Sequence, residues 1–175
     1  MSRAGPLVRP ANRQAPRPVL LYCAGNPLRR DDGVAAALAR RLRHAGLPAL
    51  RVLCDTGDPL QWLDAAAQVE CLVCVDASAP ARHAGRIVRI DARRRPLPAG
   101  LSPLSSHGLG LAAMLALARA LQRLPARVVV YAVEAADLGY GHGLSESVAA
   151  ALPRLQRRLR AELQRLQSRA GPPPG

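Results

Sequence analysis

Short apolar runs alternate with amphipathic segments through most of this chain. Five apolar runs predict strands and four segments have the three-to-four-residue spacing of helices. The predicted strands cover 19–24, 50–54, 69–75, 86–90 and 127–133, and the predicted helices cover 33–44, 59–67, 109–123 and 145–167. The run at 71–75 is apolar without alternation, as in a strand buried on both faces. We therefore expect an α/β fold of three layers, with a twisted, mostly parallel five-stranded sheet between helices and the 86–90 strand as an edge exception.

The two ends of the chain differ in composition from the body between them. Residues 1–17 are rich in Pro and Arg with little to bury, and residues 171–175 end in a Pro run. We expect one domain over 18–168, with disordered segments at 1–17 and 169–175. No stretch reaches the roughly 18 uninterrupted apolar residues of a membrane helix, so we expect a soluble, cytoplasmic protein.

The charge and the cysteine positions argue against a nucleic-acid-binding, disulfide-stabilised or zinc-binding protein. The net charge is +13, but every basic residue is Arg and the few aromatic residues are scattered, so no platform for stacking bases is visible. The four cysteines lie in apolar runs, which gives no sign of a disulfide framework. Cys71 and Cys74 are three apart in a predicted strand and should point to opposite faces, which argues against zinc binding.

Polar residues that directly follow the predicted strands are the candidates for chemistry, because open α/β sheets bind ligands beyond the carboxyl ends of their strands. The candidates on four segments of the chain are Asn26, Asp31 and Asp32, then Asp55, then Asp76, and finally His107 ahead of the helix at 109–123. Two carboxylates and an imidazole would form an incomplete ligand set for a borderline divalent ion, with positions left for a partner. Metalloprotease, serine hydrolase and P-loop motifs are absent.

Each candidate also has an ordinary structural explanation. Asp31 or Asp32 could cap the following helix, and Asp55 could form a turn with Gly57. A carboxylate that ends a buried strand, as Asp76 is expected to do, pays desolvation unless a cation or amide donors meet it, which favours function there. For His107 the structural and functional interpretations stay equally open.

The segment after the first strand carries a specific motif. Its residues, Gly25-Asn26-Pro27-Leu28-Arg29-Arg30-Asp31-Asp32-Gly33-Val34, resemble the signature G-N-x-L-x-x-D-[DE]-G-x-G of the hydrogenase maturation proteases. Further pieces follow in the family's order, at 55–57, 75–77, 106–111 and 143–148. The sequence departs from the pattern at Ala35, where the motif ends in Gly, and at 22–24, where a Gly is common.

This resemblance implies both a function and a site. Members of the family remove a C-terminal extension from the large subunit of nickel–iron hydrogenases. The metal-contacting and catalytic residues would be Asp32, Asp76 and His107, with Asn26, Asp31 and Asp55 in supporting positions. The resemblance implies an aspartic-type endopeptidase that acts, most simply as a monomer, on a hydrogenase precursor. Nickel would belong to the precursor and serve recognition, and no nucleic acid or membrane is expected as a partner.

Two alternatives stay open at the level of sequence. Peptide cleavage could use the metal to polarise the carbonyl, or a carboxylate such as Asp31 or Asp55 to activate water. The chain could also be a nickel-dependent assembly chaperone that binds the precursor without cutting it, since such a protein would keep the same residues.

Overall fold

The computed structural model describes residues 18–42, 47, 49–97 and 110–168. Strands and helices alternate as the hydrophobic pattern predicts. The strands are β1 (Val19–Cys23), β2 (Leu50–Cys54), β3 (Cys71–Ser78), β4 (Ile87–Asp91) and β5 (Arg127–Glu134). The helices are α1 (Val34–Leu42), α2 (Pro59–Ala67), α3 (Leu111–Ala120) and α4 (Glu146–Ser168), and a 3-10 turn at Arg30–Gly33 precedes α1.

The strands form one sheet in the order β2-β1-β3-β5-β4. β2, β1, β3 and β5 are parallel, and β4 runs antiparallel to β5 at the edge. This confirms the predicted α/β architecture and the exceptional position of the fourth strand. Because β1 and β3 are adjacent and parallel, the loops that follow them open at the same edge of the sheet.

The two faces of the sheet are covered by different helices. Alternate residues of β1 and β3 pack against α1 and α4 on one face, including Cys71, and the intervening residues pack against α2 and α3 on the other, including Cys74. The two cysteines therefore point to opposite faces, as predicted. Asp76 follows Cys74 by two residues in the same strand, so it lies on the face covered by α2 and α3.

Two elements differ from their predicted bounds in ways that affect the site. β3 begins at Cys71, two residues later than expected, and continues through Asp76 to Ser78. Asp76 pairs with Ala132 of β5 and so lies inside the strand, not at its end. α3 begins at Leu111, two residues after the predicted start at 109.

A buried ionic network attaches the edge strand to α4. Glu162, 6% exposed, accepts hydrogen bonds from Arg89 Nε at 2.7 Å and Arg89 Nη2 at 3.0 Å, from Tyr131 Oη at 3.2 Å, and from Arg165. Burial raises the pKa of Glu162, but the hydrogen bonds and charges of Arg89 and Arg165 outweigh it and lower the pKa to about 2. Burial and the Glu162 charge raise the pKa of Tyr131 to about 12.

In the part of the chain that the structure describes, no helix combines the length and the apolar character needed to cross a membrane.

Candidate active site

The loop after β1 folds back so that Asp32 lies against its own beginning. The amide of Asn26 donates to Asp32 Oδ2 at 2.9 Å. Gly25 has φ +99°, and a Cβ atom there would lie 2.2 Å from the Asp32 carbonyl oxygen and 2.9 Å from its Oδ1. A side chain at position 25 would therefore displace the carboxylate, which gives the first glycine of the motif a physical reason.

Asp32 is held in a largely buried position, 9% exposed. Burial raises the pKa of its carboxyl, and the nearby charge of Asp55 adds to this, while the Asn26 amide and the Arg29 charge act in the opposite direction. Arg29 is fixed by hydrogen bonds from Nε and Nη2 to the Leu138 carbonyl oxygen at 3.2 and 2.9 Å. The result is a largely buried carboxylate whose negative charge is costly to maintain.

Asp76 lies beside this loop and is fully buried. The Ala24 amide donates to the Val75 carbonyl oxygen at 2.9 Å, which attaches the start of the loop to the strand residue that precedes Asp76. The 3-10 turn carrying Asp32 also contacts β3. The structure therefore brings the segments of Asp32 and Asp76 together at one edge of the sheet.

Asp55 completes this group of acids from the loop after β2. Its amide donates to the Cys23 carbonyl oxygen at 2.9 Å, and its Oδ1 accepts from the Gly57 amide at 2.9 Å. The predicted turn with Gly57 is confirmed. The turn places the Asp55 carboxylate near the phenol of Tyr22, whose pKa it raises.

Tyr22 was not anticipated from the sequence. Burial raises the pKa of its phenol, followed by the charge of Asp55, a side-chain hydrogen bond with Asp55 and the charge of Asp76. Its ring packs edge-on against Trp62, with centroids 5.9 Å apart. The available signal was the alternation along β1, which places Tyr22 on the same face as Cys74 and Asp76. The phenol therefore lies beside the Asp55 carboxylate and also feels the charge of Asp76.

Asp31 has a different environment from its neighbour. It is fully buried, and its Oδ2 accepts from the amides of Ala136 at 2.8 Å and Asp137 at 3.0 Å. Ser145 donates through its amide to Oδ1 at 2.7 Å and through its hydroxyl to Oδ2 at 2.8 Å. These four bonds occupy the carboxylate, so Asp31 anchors the loop to the segment before α4 and is poorly placed to activate water.

The helix-cap interpretation of the two adjacent acids is wrong. Asp31 accepts hydrogen bonds from residues 136–145 and Asp32 accepts one from Asn26, whereas no side-chain cap bond is made at the 3-10 turn. Asn26 itself forms a local turn, in which its Oδ1 accepts from the Leu28 amide at 2.9 Å. Both acids therefore hold the loop in shape by longer-range bonds.

His107 lies outside the described residues. The next described helix, α3, begins four residues later at Leu111 and lies on the same face of the sheet as Asp76. Among residues 18–42, 49–97 and 110–168, no group of three or more His, Cys, Asp and Glu side chains has an arrangement that could hold a metal ion. The described carboxylates alone thus make an incomplete donor set, and the imidazole ligand stays a prediction.

Fold and site together define a small α/β protein with a carboxylate-rich site at the carboxyl edge of its parallel strands. The family model HycI, described as hydrogenase maturation protease, matches residues 34–162. The chain therefore belongs to the hydrogenase maturation protease family, and it is a peptidase. The match includes Asp76 and the position of His107 and begins just after Asp32. None of the curated proteins gave a match.

Solved structures of similar fold carry names from the same family. The hydrogenase maturating endopeptidase HybD from Escherichia coli has a TM-score of 0.71 at 22% identity, covering 85% of this chain and 93% of its own. The [NiFe] hydrogenase maturation protease HybD from Thermococcus kodakarensis has a TM-score of 0.68 at 25% identity, covering 83% and 99%. The maturation protease HycI from Thermococcus kodakarensis gives 0.64 at 22%, covering 87% and 95%.

Proposed function

We propose that this protein removes a C-terminal extension from the large-subunit precursor of a nickel–iron hydrogenase, and that it uses the precursor's nickel to recognise its substrate. Membership of the maturation protease family supports the reaction. The observation that carries the site is the approach of the Asp32 loop to β3 beside Asp76, made by the Ala24–Val75 hydrogen bond of 2.9 Å. Asp32, Asp76 and His107 are the proposed ligands.

In this proposal nickel arrives with the substrate. Carboxylate oxygens and an imidazole suit a borderline divalent ion, and three ligands leave positions for donors of the precursor. The positive charge would favour the anionic form of Asp32, which burial disfavours. A precursor without nickel would leave these acids without that compensation, so it would bind less tightly.

Asp55 is the proposed base among the carboxylates of this edge. Asp55 accepts hydrogen bonds from the Gly57 amide and the Tyr22 phenol. Asp31, in contrast, is fully buried and accepts four hydrogen bonds that hold it in a structural role. Asp55 would accept a proton from water as the water oxygen bonds to the scissile carbonyl carbon. The carbon–nitrogen bond then breaks and the proton passes to the leaving amine.

The reaction itself is tested by the intact mass of a nickel-loaded precursor after incubation with the protein. We expect a shortened large subunit and one released C-terminal peptide, and we expect neither with Asp32→Asn or Asp76→Asn. Asp64→Asn is the matched control. Asp64 lies on α2, away from this edge, and its exposed side chain pairs with Arg123. A stable complex with the precursor and an unchanged mass would instead support the chaperone.

A further inference from the structure

We propose that a basic cleft beside the Asp32 loop binds the C-terminal α-carboxylate of the extension that is removed. This inference rests on the proposed function and names the part of the substrate that the cleft holds. The cleft has a volume of about 200 Å³ and is lined by Arg30, Arg40 and His142 together with apolar groups, among them Leu28 and Leu144. It has room for the end of a peptide and too little for a folded segment.

The cleft shares its wall with the candidate active site. Pro27 and Gly33, which enclose the loop carrying Asp32, both line it. A Cβ atom at Gly33 would lie 3.0 Å from the Pro27 Cα, so the two segments of the loop are in close contact here. A peptide whose scissile bond lies near Asp32 could therefore extend along the loop toward the cleft.

Arg30 is held at the cleft by an unusual backbone conformation. Its φ is +41°, a region that favours glycine, and its amide donates to the Gly141 carbonyl oxygen at 3.0 Å. A Cβ atom at Gly141 would lie 3.2 Å from the Arg30 Nε, so the side chain crosses directly over this glycine. Conformational strain of this kind persists where surrounding contacts impose it, and it is concentrated at functional sites.

The charges in the cleft are only partly compensated. Arg30 Nε lies 3.3 Å from Asp137 Oδ2, which leaves other donors of its five-donor guanidinium for a ligand. Arg40 is exposed and, within the described part of the chain, no hydrogen bond or ion pair engages it. Two guanidinium groups and an imidazole above apolar side chains match a carboxylate attached to a terminal residue.

We assign the bound negative charge to the C-terminal α-carboxylate because this group does not depend on the sequence of the extension. Whatever residues compose it, a segment removed from the C-terminus ends in this group. The apolar part of the lining would accept the last side chain, and the basic part would accept the negative charge. An internal acidic residue offers the same charge, and the experiment below distinguishes it from the terminus.

The test uses two precursors made by ligating a synthetic extension to the nickel-loaded large subunit, one ending in a free acid and one in an amide. For the wild-type protein we expect the amide to raise KM about tenfold, as loss of a charge-assisted hydrogen bond would, with kcat unchanged. Arg40→Gln should raise KM for the acid and reduce the difference between the two precursors, because Arg30 and His142 remain. Arg41→Gln, a neighbour on α1 that does not line the cleft, should retain the difference.

Equal KM values for acid and amide with the wild-type protein would overturn the inference while leaving the proposed function intact. A KM that responds to replacing acidic side chains inside the extension, but not to amidation, would overturn the assignment to the terminus. Cleavage of neither precursor would refute the proposed function, and the inference would fail with it.

Discussion

Asp31 accepts hydrogen bonds from both the amide and the hydroxyl of Ser145, at 2.7 and 2.8 Å. With two further amides from residues 136 and 137, these bonds join the loop after β1 to the segment that leads into α4. Asp32, one position later, accepts the backbone amide of Asn26 and, within the described residues, no further hydrogen bond to its carboxylate is seen. Two adjacent acids of one motif therefore have different surroundings: Asp31 positions the loop, and Asp32 is the proposed ligand.

Asp31→Asn should destabilise the protein. The asparagine amide group would face donors where the carboxylate now accepts them, and buried amides would lose their partner. We expect a loss of about 2–4 kcal/mol in the free energy of unfolding, measured by urea denaturation. Asp64→Asn removes an exposed ion pair with Arg123 and should change this free energy by less than about 1 kcal/mol. Similar stability of the two variants would contradict the anchoring role.

Asp32→Asn, unlike Asp31→Asn, should not lower the stability of the protein at neutral pH. Because burial raises the pKa of Asp32, the folded state binds its proton more tightly than the unfolded state does, and the wild-type protein loses stability as pH rises through that interval. The asparagine has no charge to desolvate, so the variant should match or exceed wild-type stability at neutral pH and lose this advantage in acid.

Cleavage by Asp32→Asn should nevertheless fall by at least about 100-fold, because the variant loses one of the three proposed ligands of the substrate's nickel. Urea unfolding at pH 4 and pH 7, combined with a cleavage assay, separates the two effects. Normal cleavage by the variant, or unfolding as ready as that of Asp31→Asn, would contradict the role assigned to Asp32.

Gly25→Ala should lower stability more than another glycine substitution of similar backbone strain. Gly143 also has positive φ, at +86°, but a Cβ atom there would meet no other atom within 4 Å. Gly143→Ala should therefore cost about 1 kcal/mol from conformation alone. At Gly25 the added carbon would also collide with Asp32, so we expect a larger loss in thermal or urea unfolding. Equal losses would show that the loop accommodates the extra carbon.

Glu162→Gln tests the ionic network between β4 and α4 through its pH dependence. The folded-state pKa of about 2 is below the ordinary glutamate value, so the carboxylate stabilises the fold above the unfolded-state pKa. This contribution is lost as pH falls from about 4.5 toward 2. The variant should be less stable than wild type by about 1–3 kcal/mol at pH 7, with the gap narrowing across that interval. A gap independent of pH would contradict the assigned charge.

The fold could be predicted because it depends on signals that are local in sequence. β2 and α2 have the predicted bounds, 50–54 and 59–67, since apolar runs and turn residues mark both ends. β3 extends past Asp76 because pairing with β5 continues to Ser78, and pairing between distant segments leaves no mark in a single run of residues. The position of Asp76 inside the strand therefore required the structure.

The site could be predicted only in part, because it too depends on contacts between segments that are distant in sequence. The motif after β1 identified both acids, but their different tasks depend on residues 136–145, more than a hundred positions away. Tyr22 has the sequence context of an ordinary strand residue, and its proximity to the charges of Asp55 and Asp76 depends on how the strands pair. His107 lies outside the described residues, so its role as a ligand stays a prediction.

The most direct test of the central claim is the intact mass of the large-subunit precursor in nickel-loaded and nickel-free forms, each with and without this protein. The account predicts loss of one C-terminal peptide from the loaded precursor and no change in the nickel-free precursor. Equal cleavage of both forms would contradict recognition through substrate-borne nickel, and an unchanged mass of the loaded form would contradict the proposed reaction.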